Sequence, residues 1–443
     1  MKTKRRTLLC MICLLCCFSL FLTACQVAQQ SGIVDAKINS KGELILVYQD
    51  GTKQNLGVVV GKDGANGTDG TDGADGTTVI TGNAGSIPVA SAKGLRSAVS
   101  IVCNFTATIQ NSGLRPGWGG TRTEEYSSSG SGVIYQLDRQ QGDAFIITNY
   151  HVVYDASSDT ANGISDDICV YLYGSAIKEK AIKATYVGGS SYYDIAVLRV
   201  GGNSILQGSN ACAVEIANSD NIVVGDSAIA IGNAEGLGIS ACVGVVSVDS
   251  EYITMTAADG RSEVSFRVMR VDAAVNSGNS GGGLYDAKGN LIGIVNAKIV
   301  DDGVENIGYA IPSNVAISIA DNIIDYCYGT DQESVQRALL GITVATSDSK
   351  AVYESETGLM RIQETVSVYE VSKGSLAEGT LQSGDILISA TIKGQQTEIT
   401  RQYHIIDMML DVRAGDTIEL DILREGEALS VSIQITEDCL TAY

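Results

Sequence analysis

Three short segments carry a histidine, an aspartate and a serine, each beside an apolar run. In TNYHVV, His151 follows a β-branched run that is typical of a buried strand. In YYDIAVLRV, Asp194 precedes a second apolar stretch, and in VNSGNSGGGLYD two serines, Ser277 and Ser280, lie among glycines. The order of these three residue types along the chain constrains the fold more than any feature of composition does.

Each of these residues has an ordinary structural interpretation when it is taken alone. An isolated histidine is commonly a core or loop residue, an aspartate before a strand is commonly a turn residue, and glycine-rich segments are commonly turns. Together they can act, because a serine hydroxyl becomes nucleophilic when a base accepts its proton and a buried carboxylate orients that base. The chain has only 2 histidines, His151 and His404. The order His, Asp, Ser is that of the chymotrypsin-type double barrel.

The segments TNYHVV, YYDIAVLRV and VDAAVNSGNSGGGL resemble, in this order, the signature stretches of HtrA/Deg-family serine proteases. That family has a trypsin-like double β-barrel followed by one or more PDZ domains. The resemblance implies that His151 is the general base, Asp194 its orienting acid and Ser280 the nucleophile. The backbone N–H groups of Gly278 and Ser280 would form the oxyanion hole. Ser277 occupies a position that is usually proline, so it is not expected to be the nucleophile.

The nucleophile segment departs from the family pattern at two positions. The family usually has NPGNSGGPL, whereas this chain has NSGNSGGGL, and the whole chain has only 3 prolines. Because proline fixes φ near −65°, we expect this loop to be more flexible than in the family. The departure bears on regulation of the oxyanion hole and not on the identity of the nucleophile.

The resemblance also indicates a substrate pocket without charge. In the trypsin-like arrangement the base of the pocket lies six residues before the nucleophile, at Ala274, and the segment GIVNA would supply the wall through Val295, Asn296 and Ala297. A neutral, apolar pocket favours small or medium aliphatic side chains. Because one methylene in such a pocket is worth only about 1–3 kcal/mol, we expect broad specificity.

The N-terminus has the pattern of an export signal. Four basic residues precede an apolar run at 8–22, which is shorter than the roughly 20 residues of a membrane-spanning helix. The ending Leu22-Thr23-Ala24-Cys25 resembles the bacterial lipobox. This implies that 1–24 is a lipoprotein signal peptide, that Cys25 is lipidated, and that the protein is anchored at the extracytoplasmic face of a bacterial cell membrane.

Charge and cysteine usage exclude several other classes of function. Removal of 1–24 takes away four basic and no acidic residues, so the net charge changes from −21 to −25. Such a charge opposes binding to nucleic acid and to anionic membrane surfaces. No CxxC pair occurs beyond the leader, so neither a metal site nor a cofactor is expected. The six cysteines beyond the leader and lipobox are Cys103, Cys169, Cys212, Cys242, Cys327 and Cys439. Several of them lie in apolar strands such as DICVYLY, where a buried thiol is the favoured interpretation, and disulfides stay open.

The predicted fold class is mainly β. It comprises a chymotrypsin-like double β-barrel followed by an α+β PDZ domain, with an N-terminal lipoprotein signal and a collagen-like stalk. Glycine at every third position from 61 indicates either a collagen-like helix or, as we favour, a flexible acidic spacer. The predicted segments are the signal peptide 1–24, a short β-rich segment 25–60, the Gly-X-Y spacer 61–78, a linker 79–94, the protease domain 95–328 and the PDZ domain 335–440.

PDZ domains bind a peptide C-terminus as an added strand, with its carboxylate in a nest of backbone N–H groups. The segment RALLGITV resembles the start of such a domain, and the resemblance implies a nest at Leu340, Gly341 and Ile342. His404 and Met408 lie on a predicted helix. They face either the peptide groove or the core of the domain.

These features predict a cell-surface serine endopeptidase of HtrA type that cleaves unfolded or exported proteins by acyl-enzyme chemistry. Its PDZ domain would bind peptide C-termini, and the family resemblance implies a homotrimer. Two alternatives stay open: a catalytically silent PDZ adaptor or adhesin, and a chaperone-like protein that holds misfolded chains.

Overall fold

The computed structural model contains two compact units, 1–79 and 80–443. It describes residues 33–41, 43–58, 86–111, 120–175, 180–297 and 307–442. The first unit contains an antiparallel sheet of β1 (Ile33–Ile38), β2 (Glu43–Tyr48) and β3 (Lys53–Val58) in that order. A turn at Asp50-Gly51 joins β2 to β3, with Gly51 at φ +82°.

The signal peptide 1–24, the lipidation residue Cys25 and the Gly-X-Y segment 61–78 lie outside the described residues. Within the described ranges, no helix has the length and apolarity needed to cross a membrane.

The second unit contains two closed β-barrels. The first barrel has the strand order β4-β5-β6-β9-β8-β7. Its strands are β4 (Ala98–Asn111), β5 (Gly120–Asp138), β6 (Asp143–Thr148), β7 (Asp167–Leu172), β8 (Ile182–Ser190) and β9 (Ile195–Val200). Neighbouring strands in this order pair antiparallel. The barrel closes because β4 pairs with β7 as well as with β5.

The second barrel repeats this topology with the order β10-β11-β12-β15-β14-β13. Its strands are β10 (Ser227–Gly232), β11 (Ser240–Thr256), β12 (Glu263–Val271), β13 (Gly283–Tyr285), β14 (Leu291–Val295) and β15 (Gly308–Pro312). The two barrels confirm the predicted double β-barrel.

Both faces of several barrel strands are buried, which explains their continuous apolar runs. Alternate residues of a strand point to opposite faces. In the first barrel, Ile146 and Leu198 point into the barrel interior. Ile147, Ile195 and Val197 point outward into a second core, which they share with residues of the second barrel. This shared core holds the barrels together, and the site described below lies at their junction.

The segment predicted as a linker, 79–94, is not linker throughout, because α1 (Ile87–Leu95) is a helix packed on the second barrel. Ala90 and Gly94 are buried on this helix. A Cβ at Gly94 would lie 2.6 Å from Ile231 Cδ1, so the glycine permits close packing. The buried face of α1 consists of small residues. The sequence therefore lacks the stripe of large apolar residues that indicates a packed helix.

Three further helices belong to the barrels and their connections. They are α2 (Tyr150–Val153), α3 (Ser204–Gln207) and α4 (Ser313–Cys327). Helix α4 follows the last strand of the second barrel and contacts β8 and β9 of the first. Its buried residues, including Val315 and Ile319, extend the shared core.

The remaining residues form an α+β domain. Its main sheet has the order β17-β18-β19-β21-β22, with β20 paired to β19, and β16 pairs with β23 in a separate two-stranded sheet. The strands are β16 (Gln336–Ala338), β17 (Ile342–Glu354), β18 (Leu359–Val371), β19 (Ile386–Ile392), β20 (Gln395–Glu398), β21 (Thr417–Arg424), β22 (Glu427–Gln434) and β23 (Leu440–Ala442). Helix α5 (Gln402–Asp407) continues into a 3₁₀ turn, Met408–Leu410.

A buried carboxylate of this domain, Asp385, has an arginine as its partner. Asp385 is fully buried and accepts two hydrogen bonds of 2.7 Å from Arg424 Nε and Nη2. Burial raises the pKa of Asp385, but the hydrogen bonds from Arg424 and from the Gln382 N–H outweigh burial, so the net pKa is lowered. Folding therefore favours the ionised carboxylate.

We expect Arg424→Met to lower the urea midpoint of this domain at neutral pH, because it leaves Asp385 buried without its cation. The folded-state pKa of Asp385 is lowered, so the stabilisation is present above its usual value of 3.8 and is lost as the pH falls through the folded value. Urea unfolding across this pH range should show the variant approaching the parent in acid. Arg122→Met, which breaks the exposed pair with Glu124, is the control and should leave the midpoint unchanged.

Candidate active site

His151 and Asp194 form a two-point contact. His151 lies on α2, directly after β6, and its Nδ1 is 2.6 Å from Asp194 Oδ2. The backbone N–H of His151 donates to Asp194 Oδ1 at 2.9 Å. An ionised carboxylate only accepts hydrogen bonds, so Nδ1 carries the ring proton and Nε2 keeps its lone pair. This is the tautomer in which a histidine can act as a general base.

Asp194 lies in the turn between β8 and β9, with only 1% of its surface exposed. Its φ is +55°, in the left-handed region, which is uncommon for residues other than glycine. Two asparagine side chains hold it: Asn149 Nδ2 donates to the Asp194 carbonyl at 2.8 Å, and Asn296 Nδ2 donates to Oδ2 at 2.8 Å. Asp194 is therefore held by both barrels, since Asn149 belongs to the first and Asn296 to the second.

Ser280 lies in the loop between β12 and β13 and is 5% exposed. The Ser280 carbonyl accepts from the Ser131 N–H at 2.8 Å. At the next residue, Gly281, a Cβ would lie 2.3 Å from both Ser131 O and Thr148 Oγ1, so the loop packs directly on the strand end that leads to His151. Within the described part of the chain the Ser280 hydroxyl makes no hydrogen bond. Such catalytic contacts are often long before substrate binds.

Gly278 is held in a conformation that requires glycine. Its φ is +90°, and a Cβ there would lie 2.2 Å from the Asn233 carbonyl oxygen. Ser131 Oγ donates to the Gly278 carbonyl at 2.6 Å and accepts from the Asn233 N–H at 2.7 Å. Neither the Gly278 nor the Ser280 N–H donates a hydrogen bond within the described residues. Both donors are thus available to an external oxyanion.

Hydrogen bonds hold the loop that lacks the two family prolines. The Glu235 N–H donates to the Ser277 carbonyl at 2.8 Å, and the Asn279 N–H donates to the Asn276 carbonyl at 3.0 Å. Ser277 is exposed, whereas Ser280 is buried. The geometry therefore brings Ser280, and not Ser277, to the buried junction.

The four predicted pocket residues have different environments. Ala274 is exposed, Ala297 is half-buried, and Val295 and Asn296 are buried. The Val295 backbone bonds to the nucleophile loop, because its carbonyl accepts from Gly281 N–H at 3.0 Å. The side-chain amide of Asn296 donates to Asp194, a contact that the pocket prediction did not include. The specificity pocket itself stays a prediction.

The predicted peptide nest lies immediately before β17. Gly341 has φ +70°, and a Cβ there would lie 2.2 Å from Ser375 Cβ. The carbonyl groups of Leu340 and Gly341 accept from the N–H groups of Ala377 and Ser372, respectively. The N–H groups of Leu340 and Gly341 make no hydrogen bond within the described residues, whereas Ile342 already pairs with β18.

His404 and Met408 lie on α5 and on the 3₁₀ turn that follows it, and Met408 packs against the core of the α+β domain, which is one of the two predicted positions. Both line a cavity of about 740 Å³, together with Asp220 and Asn314 of the barrel region and Lys393 of the α+β domain. They therefore face the space between the domains. The prediction considered only one domain at a time, and a contact between domains leaves no local pattern in the sequence.

Sequence reasoning missed three polar residues that support the site. Asn149 holds Asp194, and Ser131 and Asn233 hold the Gly278 loop. The only available signal was the position of Asn149 two residues before His151, and of Ser131 within SGSG. Neither residue is charged or titratable, so neither stood out as a candidate.

The two closed barrels and the His–Asp pair beside a buried serine define a trypsin-like serine peptidase. Residues 130–294 match the family described as Trypsin-like peptidase domain.

Comparison with known proteins identifies the family more narrowly. Serine protease Do-like HtrA of Bacillus subtilis (strain 168) is 33% identical over 318 residues, which are 70% of this chain and 64% of that protein. Serine protease Do-like HtrA of Lactococcus lactis subsp. cremoris (strain MG1363) is 30% identical over 325 residues, 71% of this chain and 72% of that protein. The chain belongs to the Do-like HtrA family of serine endopeptidases. A solved structure, HtrA-type protease AlgW with decapeptide, is 25% identical and covers 81% of this chain and 99% of its own, with a TM-score of 0.47.

We expect Gly278→Ala to lower kcat by about 100- to 1000-fold, the loss that is typical when an oxyanion-hole donor is removed. The added methyl group would meet the Asn233 carbonyl and displace the loop. Gly225→Ala is the matched control, because Gly225 has φ +96° and nothing within 4 Å of the new Cβ. Peptidase kinetics on both variants separate displacement of the oxyanion loop from the backbone strain that any residue other than glycine causes at positive φ. An equal loss of kcat in both would attribute the effect to backbone strain alone.

Proposed function

We propose that this protein is a cell-surface serine endopeptidase that cleaves unfolded or exported proteins through an acyl-enzyme. The observation that carries the proposal is the double hydrogen bond between His151 and Asp194 at the junction where the Ser280 loop packs. A buried carboxylate that fixes the histidine tautomer is the arrangement that general-base catalysis requires.

The proposed reaction proceeds in two halves. Ser280 Oγ attacks the scissile carbonyl carbon while its proton passes to His151 Nε2, and Asp194 stabilises the imidazolium. The N–H groups of Gly278 and Ser280 donate to the oxyanion, and His151 then protonates the leaving amine to give the acyl-enzyme. Water, deprotonated by His151, hydrolyses the ester and regenerates the Ser280 hydroxyl.

The proposed substrates follow from the predicted pocket and anchor. A neutral pocket with Ala274 at its base accepts small or medium aliphatic side chains. Lipidation at Cys25 would hold the protease outside the cell membrane, and the acidic segment 61–78 would act as a spacer. We propose a homotrimer on the family resemblance.

We expect Ser280→Ala to abolish casein hydrolysis, and His151→Ala to be nearly as damaging because triad members act as a unit. Ser277→Ala is the control within the same loop and should keep at least about a tenth of the parent rate. Labelling with a fluorophosphonate probe gives a second readout at the nucleophile. Retained hydrolysis in Ser280→Ala would contradict the assignment of Ser280 as the nucleophile, whereas a parent protein that neither labels nor cleaves favours the silent adaptor.

The α+β domain is proposed to be a PDZ domain that binds peptide C-termini. In the described sheet β17 is an edge strand, and α5 lies against it. The N–H groups of Leu340 and Gly341 precede that edge without hydrogen-bond partners in the described residues. An added peptide strand whose carboxylate meets these donors accounts for both features.

A fluorescein-labelled decapeptide ending in valines and a free carboxylate should bind the Ser280→Ala protein. The same peptide with an amidated C-terminus should bind on the order of 10- to 100-fold more weakly, because a charge-assisted hydrogen bond contributes about 1.5–3 kcal/mol. Fluorescence anisotropy measures both affinities. Equal affinities for the two peptides would contradict a carboxylate nest at Leu340 and Gly341.

A further inference from the structure

The segment that joins the second barrel to the α+β domain contacts the turn that carries Asp194. The Gly189 N–H, near the end of β8, donates to the Glu333 carbonyl at 3.0 Å. Gly189 and Ser334 also form a parallel bridge. The connecting segment therefore adds backbone hydrogen bonding to the strand end immediately before the turn.

A second contact lies within the turn itself. Arg337, on β16, is 8% exposed, and its Nη1 donates to the Tyr193 hydroxyl at 2.8 Å. Tyr193 directly precedes Asp194 and is 5% exposed. Its ring makes an edge contact with Phe266, with centroids 6.2 Å apart. Tyr193 thus joins the turn to the second barrel through its ring and to the connecting segment through its hydroxyl.

Arg337 is in turn positioned by both domains. The neighbouring Gln336 exchanges two hydrogen bonds with the buried Asn322 of α4, at 2.7 and 2.9 Å. On its other side β16 pairs with β23, where Arg337 lies opposite Thr441. The guanidinium therefore has its place only when the last strand of the α+β domain is docked beside the barrels.

The conformation of Asp194 makes the turn sensitive to such contacts. A residue other than glycine at φ +55° persists only where its surroundings hold it. Asn149 holds the Asp194 carbonyl, and Asn296 holds the carboxylate. The contacts of the Tyr193 side chain hold the residue directly before Asp194. Removal of one anchor lets the turn relax, and relaxation moves the carboxylate away from His151.

We propose that Arg337 is a positioning residue for the triad aspartate. It acts through the Tyr193 hydroxyl, so that docking of the α+β domain's last strand sets the orientation of Asp194. The proposal rests on the proposed function, because it assigns Arg337 a role in the same triad. It makes the connecting segment a functional part of the site.

Tyr193→Phe is the sharpest test, because it removes the hydroxyl that Arg337 contacts and keeps the ring. We expect kcat to fall about 10-fold at unchanged KM, since a displacement of about 1 Å can cost on the order of 100-fold. Tyr192→Phe is the matched control, because its hydroxyl donates instead to the Ser265 carbonyl. Arg337→Met should reproduce the loss of kcat, and Arg337→Lys should restore part of it.

Proton NMR supplies a readout that does not depend on turnover. The chain has only 2 histidines, and His404 Nδ1 accepts from the Thr400 N–H, so it carries no proton there. The downfield Nδ1–H signal of His151, bonded to Asp194, should shift or broaden in Tyr193→Phe and Arg337→Met but not in Tyr192→Phe.

An unchanged His151 signal and unchanged kcat in Tyr193→Phe would overturn the proposal. Equal losses in Tyr192→Phe would overturn it too, because they would indicate general damage to the turn. A parent protein without Ser280-dependent hydrolysis would instead refute the proposed function, and the NMR signal would still report whether Arg337 positions Asp194.

Discussion

The hydrogen bond between His151 Nδ1 and Asp194 Oδ2, 2.6 Å long, depends on the packing of both barrels. Both partners belong to the first barrel, but the carboxylate also accepts from Asn296, which follows β14 of the second. The charge is buried, so it is tolerable only with its hydrogen bonds complete. The pair is therefore formed fully only when the shared core between the barrels is closed.

Close backbone approach explains why glycines surround the site. At Gly130 a Cβ would lie 2.6 Å from Val152 and 3.2 Å from the Ser280 carbonyl, so this residue separates the histidine helix from the nucleophile loop. Gly278 and Gly281 have similar constraints. Where the family has prolines, this chain keeps the loop in place through hydrogen bonds to neighbouring backbone, an arrangement that retains more conformational freedom in the unfolded chain.

The barrels were predictable because strand ends, turn residues and the order of three segments are local features. The residues that orient the site were not, because Asn149 and Asn296 reach Asp194 across 45 and 102 positions of sequence. Helix α1 was not predicted because the face that it buries consists of small residues. The position of His404 stayed open because the cavity that it lines is shared with residues of the barrel region. In each case the deciding contact is non-local, and single-sequence patterns report only local geometry and burial.

The α+β domain also meets the second barrel through charged groups. Arg267 on β12, 2% exposed, lies 2.8 Å from both Asp220 and Asp407, and its guanidinium stacks 3.7 Å from the Tyr403 ring centroid. Burial raises the pKa of Asp407 to about 7, although Arg267 opposes this shift. Buried ion pairs of this kind carry a desolvation penalty that offsets much of their attraction. Leu410 of the α+β domain also packs in the core that the barrels share, so the junction that places Arg337 beside the catalytic turn combines buried ion pairs with apolar packing.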